Sequence, residues 1–263
     1  MHKKYNELLL AFIVGTLSSF IITGCNDNGG GGGGGGACPN TNQSIAVCNQ
    51  VTGGPFTLVI DNGFFPVVVG SESVLEDEEG DHQLIISVPG DIEPVSGVQT
   101  RVLVEEESED GKLIEVSRNF FAQVQDGNPD ADTVCYFGEE VDICDTGLEE
   151  DGEGGFLCDG EEPSHEGSWR AGENGAVSGI IMLADPQVDD SYKQEDAPGV
   201  AEDQAEVQAL GEPIEVPAGD FDDTLRTEDC NPFDGSKDLK VYVNEIGLAI
   251  DEDLELVETS LLP

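Results

Sequence analysis

Val98 to Glu106 alternates, with Val98, Thr100, Val102 and Val104 on one parity. The dipeptide Asp110-Gly111, inside the run Glu-Asp-Gly-Lys, separates it from a second β-prone run, Leu113 to Val124. Alternation with period two places one parity on a buried face, and Asp-Gly supplies the positive φ angles of a tight hairpin turn. This pair of runs therefore commits the chain to antiparallel sheet.

The rest of the chain repeats the pattern. Phe56 to Ile60, Pro66 to Val69 and Gln83 to Val88 are β-branched runs bounded by Gly, Asp and Pro. Asp126-Gly127-Asn128-Pro129-Asp130 is a turn leading into Thr133 to Phe137, and Val141 to Cys144 continues the sheet. Gly179 to Leu183, Thr224 to Thr227, Leu239 to Val243 and Ile246 to Ile250 form a closing meander. Ala201 to Leu210 is the best helix candidate, yet a strand over Ala205 to Leu210 fits its β-branched content better. The expected fold class is all-β: a single antiparallel meander, curved like a barrel or folded as a sandwich. The expected domain spans 55–258, with a tail at 259–263.

The start of the chain reads as an address. Lys3 and Lys4 precede an apolar run from Leu8 to Ile22, broken by Gly15, Thr16, Ser18 and Ser19. Such a run is too short and interrupted for a comfortable membrane span but suits a removable signal segment over 1–24. Ile21-Ile22-Thr23-Gly24-Cys25 ends it as a lipoprotein processing site, so Cys25 is the expected lipidation site. Several acyl chains there would hold the chain stably at a membrane surface. The expected location is the bacterial cell envelope, with the outer membrane favoured because Asn26 is not the inner-membrane retention signal that Asp would be. Gly29 to Gly36 is an unbroken glycine run. With a small cysteine loop it makes 25–54 an expected flexible tether of roughly 30 Å.

The chain has 10 Lys and Arg against 56 Asp and Glu, a net charge of −46 at pH 7. Such a charge repels phosphate backbones and anionic lipid, which excludes nucleic acid as a partner class. Runs such as Glu76 to Glu79 and Glu105 to Asp110 read first as solvated faces, compatible with a saline medium or with loosely held cations. Folding is expected to depend on salt.

Besides Cys25 there are six cysteines: Cys38, Cys48, Cys135, Cys144, Cys158 and Cys230. An even number beyond an export signal implies three disulfides in one of about fifteen connectivities. Proximity favours pairing Cys38 with Cys48 and Cys144 with Cys158, which leaves Cys135 with Cys230. No C-x-x-C occurs, and His82 and His165 are the only histidines after His2, which argues against zinc and haem.

Several motifs carry a resemblance. They are Cys135-Tyr136-Phe137-Gly138-Glu139-Glu140-Val141, Glu166-Gly167-Ser168-Trp169-Arg170-Ala171-Gly172, Gly179-Ile180-Ile181-Met182 and the stretch from Pro198 to Val207. In that order they resemble a family of uncharacterised bacterial secreted proteins and lipoproteins carrying Y-F-G-E, E-G-S-W-x-A-G, G-I-I-M and P-G-x-A-E-D-x-A-E-V. The resemblance covers roughly Asn62 to Ile250. It implies a single all-β extracytoplasmic domain and no particular activity. The chain departs from the pattern in the acidic, cysteine-flanked insertion after Val141, at Cys135 and Cys230, and at Asn244 to Leu248.

No nucleophile elbow and no H-E-x-x-H is present. Paired carboxylates are too abundant for any pair to single out a hydrolase. Asp126, Asn128, Asp130 and Asp132 have the alternate spacing of a calcium loop, but Pro129 interrupts it and no bidentate Glu follows, so an Asx-type turn is the better reading. The strongest ligand-binding candidates are Trp169 and Arg170 with Glu202, Asp203 and Glu206. Trp169 is the sole tryptophan, and Arg170 is expected to pair with Glu202 or Asp203. The function expected is a lipid-anchored, non-enzymatic binding or envelope-associated module. The alternatives are a calcium-dependent acidic surface protein and a carboxylate-based hydrolase.

Overall fold

The computed structural model describes residues 38–262; the leader, Cys25 and the glycine run lie outside the described residues. The first strands are β1 Phe56–Thr57, β2 Glu72–Glu76, β3 His82–Ser87, β4 Ile92–Val95, β5 Val98–Glu109, β6 Lys112–Val124 and β7 Val134–Ile143. There follow β8 Leu148–Glu150, β9 Phe156–Cys158, β10 Trp169–Arg170, β11 Val177–Met182, β12 Ser191–Lys193, β13 Glu195–Asp196 and β14 Gln204–Leu210. The chain ends with β15 Ile214–Val216, β16 Gly219–Phe221, β17 Thr224–Cys230, β18 Lys237–Val243, β19 Gly247–Asp251 and β20 Leu254–Thr259. Among the described residues the helical element is a 3-10 turn, Ile45–Cys48. The molecule is all-β.

The main sheet runs in the order β12-β14-β17-β18-β19-β20-β2-β3-β5-β6-β7-β11-β13. Every pairing in it is antiparallel. Its two ends meet in one short segment. β12 pairs with β14, β13 pairs with β11, and only Gln194 separates β12 from β13. The sheet therefore curls into a barrel with its seam at Ser191–Asp196. Gly179 makes that seam possible: a Cβ there would stand 2.1 Å from the Gln194 carbonyl oxygen and 2.9 Å from that of Lys193.

The β5–β6 hairpin forms where the alternation and Asp110-Gly111 place it, but both parities are buried over much of β6, Glu115 and Ser117 as well as Ile114 and Val116. Asp110 and Gly111 have φ of 49° and 73°, which matches the right-handed strand twist through a tight turn. Thr133 to Phe137 and Val141 to Cys144 merge into the single strand β7. Ala201 to Leu210 yields β14. Two expected strands are largely missing: Phe56–Thr57 is all that forms of the first, and Val67 makes one isolated bridge to Ile60. Pro66 lacks the amide a ladder needs, and Val68 and Val69 are left exposed.

The largest apolar cluster gathers Phe120, Phe121, Phe137, Tyr136, Met182, Tyr192, Leu225 and Trp169. Its rings interlock: Phe121 stacks on Tyr136 at 4.8 Å, and Phe65 meets Phe121 edge-on at 5.0 Å. A second cluster centres on Leu75, Leu84, Leu254 and Leu256, and a third lies under the β8–β9 hairpin at Val116, Cys144 and Leu148.

The disulfides join Cys38 to Cys230, Cys48 to Cys135 and Cys144 to Cys158, with Cα separations of 5.7, 5.3 and 5.5 Å. The expected pairs Cys38–Cys48 and Cys135–Cys230 are not formed. The reason is that 38–54 is not a slack loop. The amides of Asn42 and Gln43 donate to the Ser191 carbonyl, both at 2.9 Å, and the Ser178 hydroxyl donates to the Cys48 carbonyl. The segment is laid along the barrel, so its two cysteines reach different strands. The expected tether thus gives way to packed structure from Cys38 onward. At the other end β20 extends through Thr259, one residue past the expected boundary.

Candidate functional site

β10 pairs with the middle of β7, Trp169 opposite Glu139 and Arg170 opposite Gly138. A Cβ on Gly138 would lie 2.3 Å from the Trp169 carbonyl oxygen, so only glycine lets β10 approach this closely. The approach turns the Trp169 indole inward, edge-on to Tyr136 at 5.4 Å, and its Nε1 donates to Glu195 Oε1 at 3.0 Å. Arg170 turns the other way. Its guanidinium lies over the Phe120 ring at 4.7 Å, bonds Glu93 at 2.8 Å and also bonds Glu140.

Arg170 therefore pairs with Glu93 and Glu140 rather than with Glu202 or Asp203. Those residues serve the seam. The Glu202 carboxylate accepts from the Gly199 amide at 3.1 Å, and the Asp203 carbonyl accepts from the amides of Gln194 and Glu195 at 2.8 and 3.2 Å. Glu206, on β14 opposite Ser191, accepts from the Gln208 side chain. Trp169 and Arg170 come together; Glu202 and Asp203, just before β14, and Glu206, on β14, make their hydrogen bonds elsewhere.

A cleft of about 230 Å³ opens beside β10. Its walls are Glu139 and Glu140 of β7, Ser168, Trp169 and Arg170, with the turns at Glu173, Asn174 and Ala176 and at Ala197, Pro198 and Val200. Behind it runs a buried polar network that alternation alone does not announce. Across β5, β6 and β7 the register aligns Leu103 with Asn119 and Glu139, Glu105 with Ser117, and Glu107 with Glu115. The Tyr136 hydroxyl lies 3.2 Å from Glu139 Oε2 and also reaches Asn119 Oδ1, while Asn119 Nδ2 donates to Glu105 at 2.9 Å. A single hydroxyl proton cannot serve two acceptors fully. The hydroxyl is placed to donate to both; a proton on Glu139 would reverse the longer contact and leave the Tyr136 proton to Asn119.

Electrostatics agree with a neutral Glu139. Burial pushes its carboxyl well above the usual range, with the Glu195 and Glu115 charges adding. Glu195 is raised in the same way by burial and by Asp203, against the Trp169 N–H. Burial lifts Glu115 to about 8, Glu105 to about 7 and Asp251 to about 6. Burial opposes the charge of Lys240, but Asp251, Asp229 and Glu105 hold its pKa above the usual lysine value. One oxygen each of Glu139, Glu195 and Glu115 is buried without a hydrogen-bond partner among the described residues.

The aspartates Asp126, Asp130 and Asp132 do not converge. Asn128 Oδ1 accepts from the Asp130 amide at 3.0 Å, which makes an Asx turn, and Asp132 Oδ1 accepts from Gln123 at 3.1 Å. Among the described residues no group of three or more His, Cys, Asp or Glu has the geometry of a metal site. Compared with protein-family models, with curated proteins and with solved structures, the chain matches none.

Proposed function

We propose that the chain is a lipid-anchored, extracytoplasmic binding module, held by Cys25 and presenting the Trp169–Arg170 cleft as its ligand seat. The cleft carries the reading: an aromatic wall, a guanidinium and a buried carboxyl meet in one concave site of about 230 Å³. That size is below the range of drug-sized pockets and fits a small polar ligand. Arg170, fixed between Glu93 and Glu140, is a rigid wall rather than a free hand. Three disulfides support an oxidising compartment.

Two measurements test the proposal. Cells fed labelled palmitate should label the chain, and Cys25→Ser should abolish the label and release the protein. Trp169 is the sole fluorophore of its kind, so a screen of small polar compounds should give a saturable emission change that Arg170→Ala removes while the melting transition survives. A chain that takes no label, or an emission that no compound moves, overturns the corresponding half.

A further inference from the structure

We propose that the cleft takes a small primary ammonium compound, whose charged head sits on Glu139 in place of the carboxyl proton. The inference rests on the reading of this cleft as the ligand seat and names what fills it.

Charge excludes the opposite class. Glu139, Glu140 and Glu173 line the cleft against one cation, Arg170, and that cation is already shared between Glu93 and Glu140. An anionic ligand would meet three carboxyls and a guanidinium without a free face. A metal ion needs at least three converging hard ligands, which the described residues do not offer. An ammonium needs less: one carboxylate, with Trp169 in the adjoining wall.

Glu139 lines the cleft and carries a buried oxygen without a partner, which makes it the group the ligand would pair with. Its side chain is fully buried in the free protein, and Oε2 faces Tyr136 while Oε1 has no hydrogen-bond partner among the described residues. Oε1 lies on the side of Gly167, 4.0 Å from where a Cβ of that residue would stand, and the next residue, Ser168, lines the cleft. Gly167 puts no side chain over the carboxyl, so an ammonium reaching Oε1 from the cleft would pass the Gly167–Ser168 turn.

The exchange balances. A neutral Glu139 plus R–NH3+ gives the carboxylate–ammonium pair and one proton released to water. The titratable groups facing Glu139 are Tyr136 on its own strand, Glu115 of β6, Glu105 of β5 and Glu195 of β13. The groups that act on it most strongly are all acidic, and Arg170, the cation of the cleft, is held by Glu93 and Glu140, so the carboxyl keeps its proton until an ammonium arrives.

The probes are propylammonium chloride, propan-1-ol and sodium propionate, added to the full chain. Trp169 emission reports binding, and calorimetry at pH 6 in two buffers of different ionisation enthalpy counts protons. Propylammonium should bind saturably, release close to one proton per ligand and bind more tightly as pH rises from 5 to 8. Glu139→Gln should weaken it at least tenfold. Binding of propylammonium with no proton released overturns the proposal without recourse to any variant. Saturable binding of propan-1-ol or propionate alone overturns the ammonium assignment and leaves the cleft as ligand seat. No response to any probe overturns both.

Discussion

The Trp169 indole nitrogen donates to Glu195 Oε1 at 3.0 Å, and both side chains are buried. This bond crosses from β10 to the barrel seam, tying the cleft wall to the segment that closes the sheet. Trp169→Phe keeps most of the apolar volume but strips Glu195 of its donor. An orphaned buried acceptor costs about 1–3 kcal/mol. Urea unfolding of Trp169→Phe, Glu195→Leu and the double variant should give a coupling energy of at least about 1 kcal/mol; additive losses would show that the bond does not contribute.

Stability should fall as pH rises from 5 to 8. Glu105, Glu115 and Asp251 carry folded-state values of about 7, 8 and 6, above the ordinary carboxyl range of the unfolded chain. The folded state therefore binds more protons than the unfolded state across this window. Their contribution is fully present below about pH 4 and is lost as pH climbs through 6, 7 and 8. Urea midpoints at fixed ionic strength should be higher at pH 5 than at pH 8, and Glu115→Gln should flatten the upper part of the slope. A midpoint that rises toward pH 8 contradicts a protonated interior.

The three disulfides should differ in worth. Cys48–Cys135 spans 87 residues and Cys144–Cys158 spans 14. Loop-closure entropy gives about 4.5 kcal/mol for the longer and about 3 kcal/mol for the shorter. Paired Cys→Ala replacement should lower the urea midpoint more for Cys48–Cys135. Non-reducing peptide mapping should recover Cys38 linked to Cys230; a Cys38–Cys48 fragment would contradict the fold.

Gly179→Ala should open the seam. The added methyl would overlap two carbonyl oxygens of 193–194, and backbone cannot retreat as a flexible side chain can. Overpacking of this kind costs about 1–3 kcal/mol. Hydrogen exchange should quicken at the amides of Gln194 and Glu195, which donate to Asp203, while those of the β5–β6 ladder stay protected. Unchanged exchange at the seam would mean that the barrel closes some other way.

The hairpin of Val98 to Val124 was legible because alternation and Asp-Gly act locally, and the same physics identified most of the meander. The pairing of cysteines was not, because Cys38 and Cys48 look close along the chain while hydrogen bonds to Ser191 and Ser178 spread them apart. Trp169 and Arg170 were found by rarity, since scarcity of tryptophan and cations made each conspicuous. Glu139, Glu195 and Tyr136 were missed for the opposite reason: in so acidic a chain a buried glutamate looks like any other. A faint signal existed in β6, where Glu115, Ser117 and Asn119 share one parity and Ile114, Val116 and Phe120 share the other. Polar residues on one parity read as solvent-facing, and in this barrel that face is interior.

The bond from Cys38 to Cys230 has a mechanical consequence. Any pull that arrives through residues 1–37 meets the domain at Cys38 and passes through the sulfur bridge into β17. The chain between the two cysteines, a sequence separation of 192, forms a closed covalent loop. A pull between that end of the chain and the strands after Cys230 would run through the bridge and leave the cleft, which lies inside the loop, unloaded.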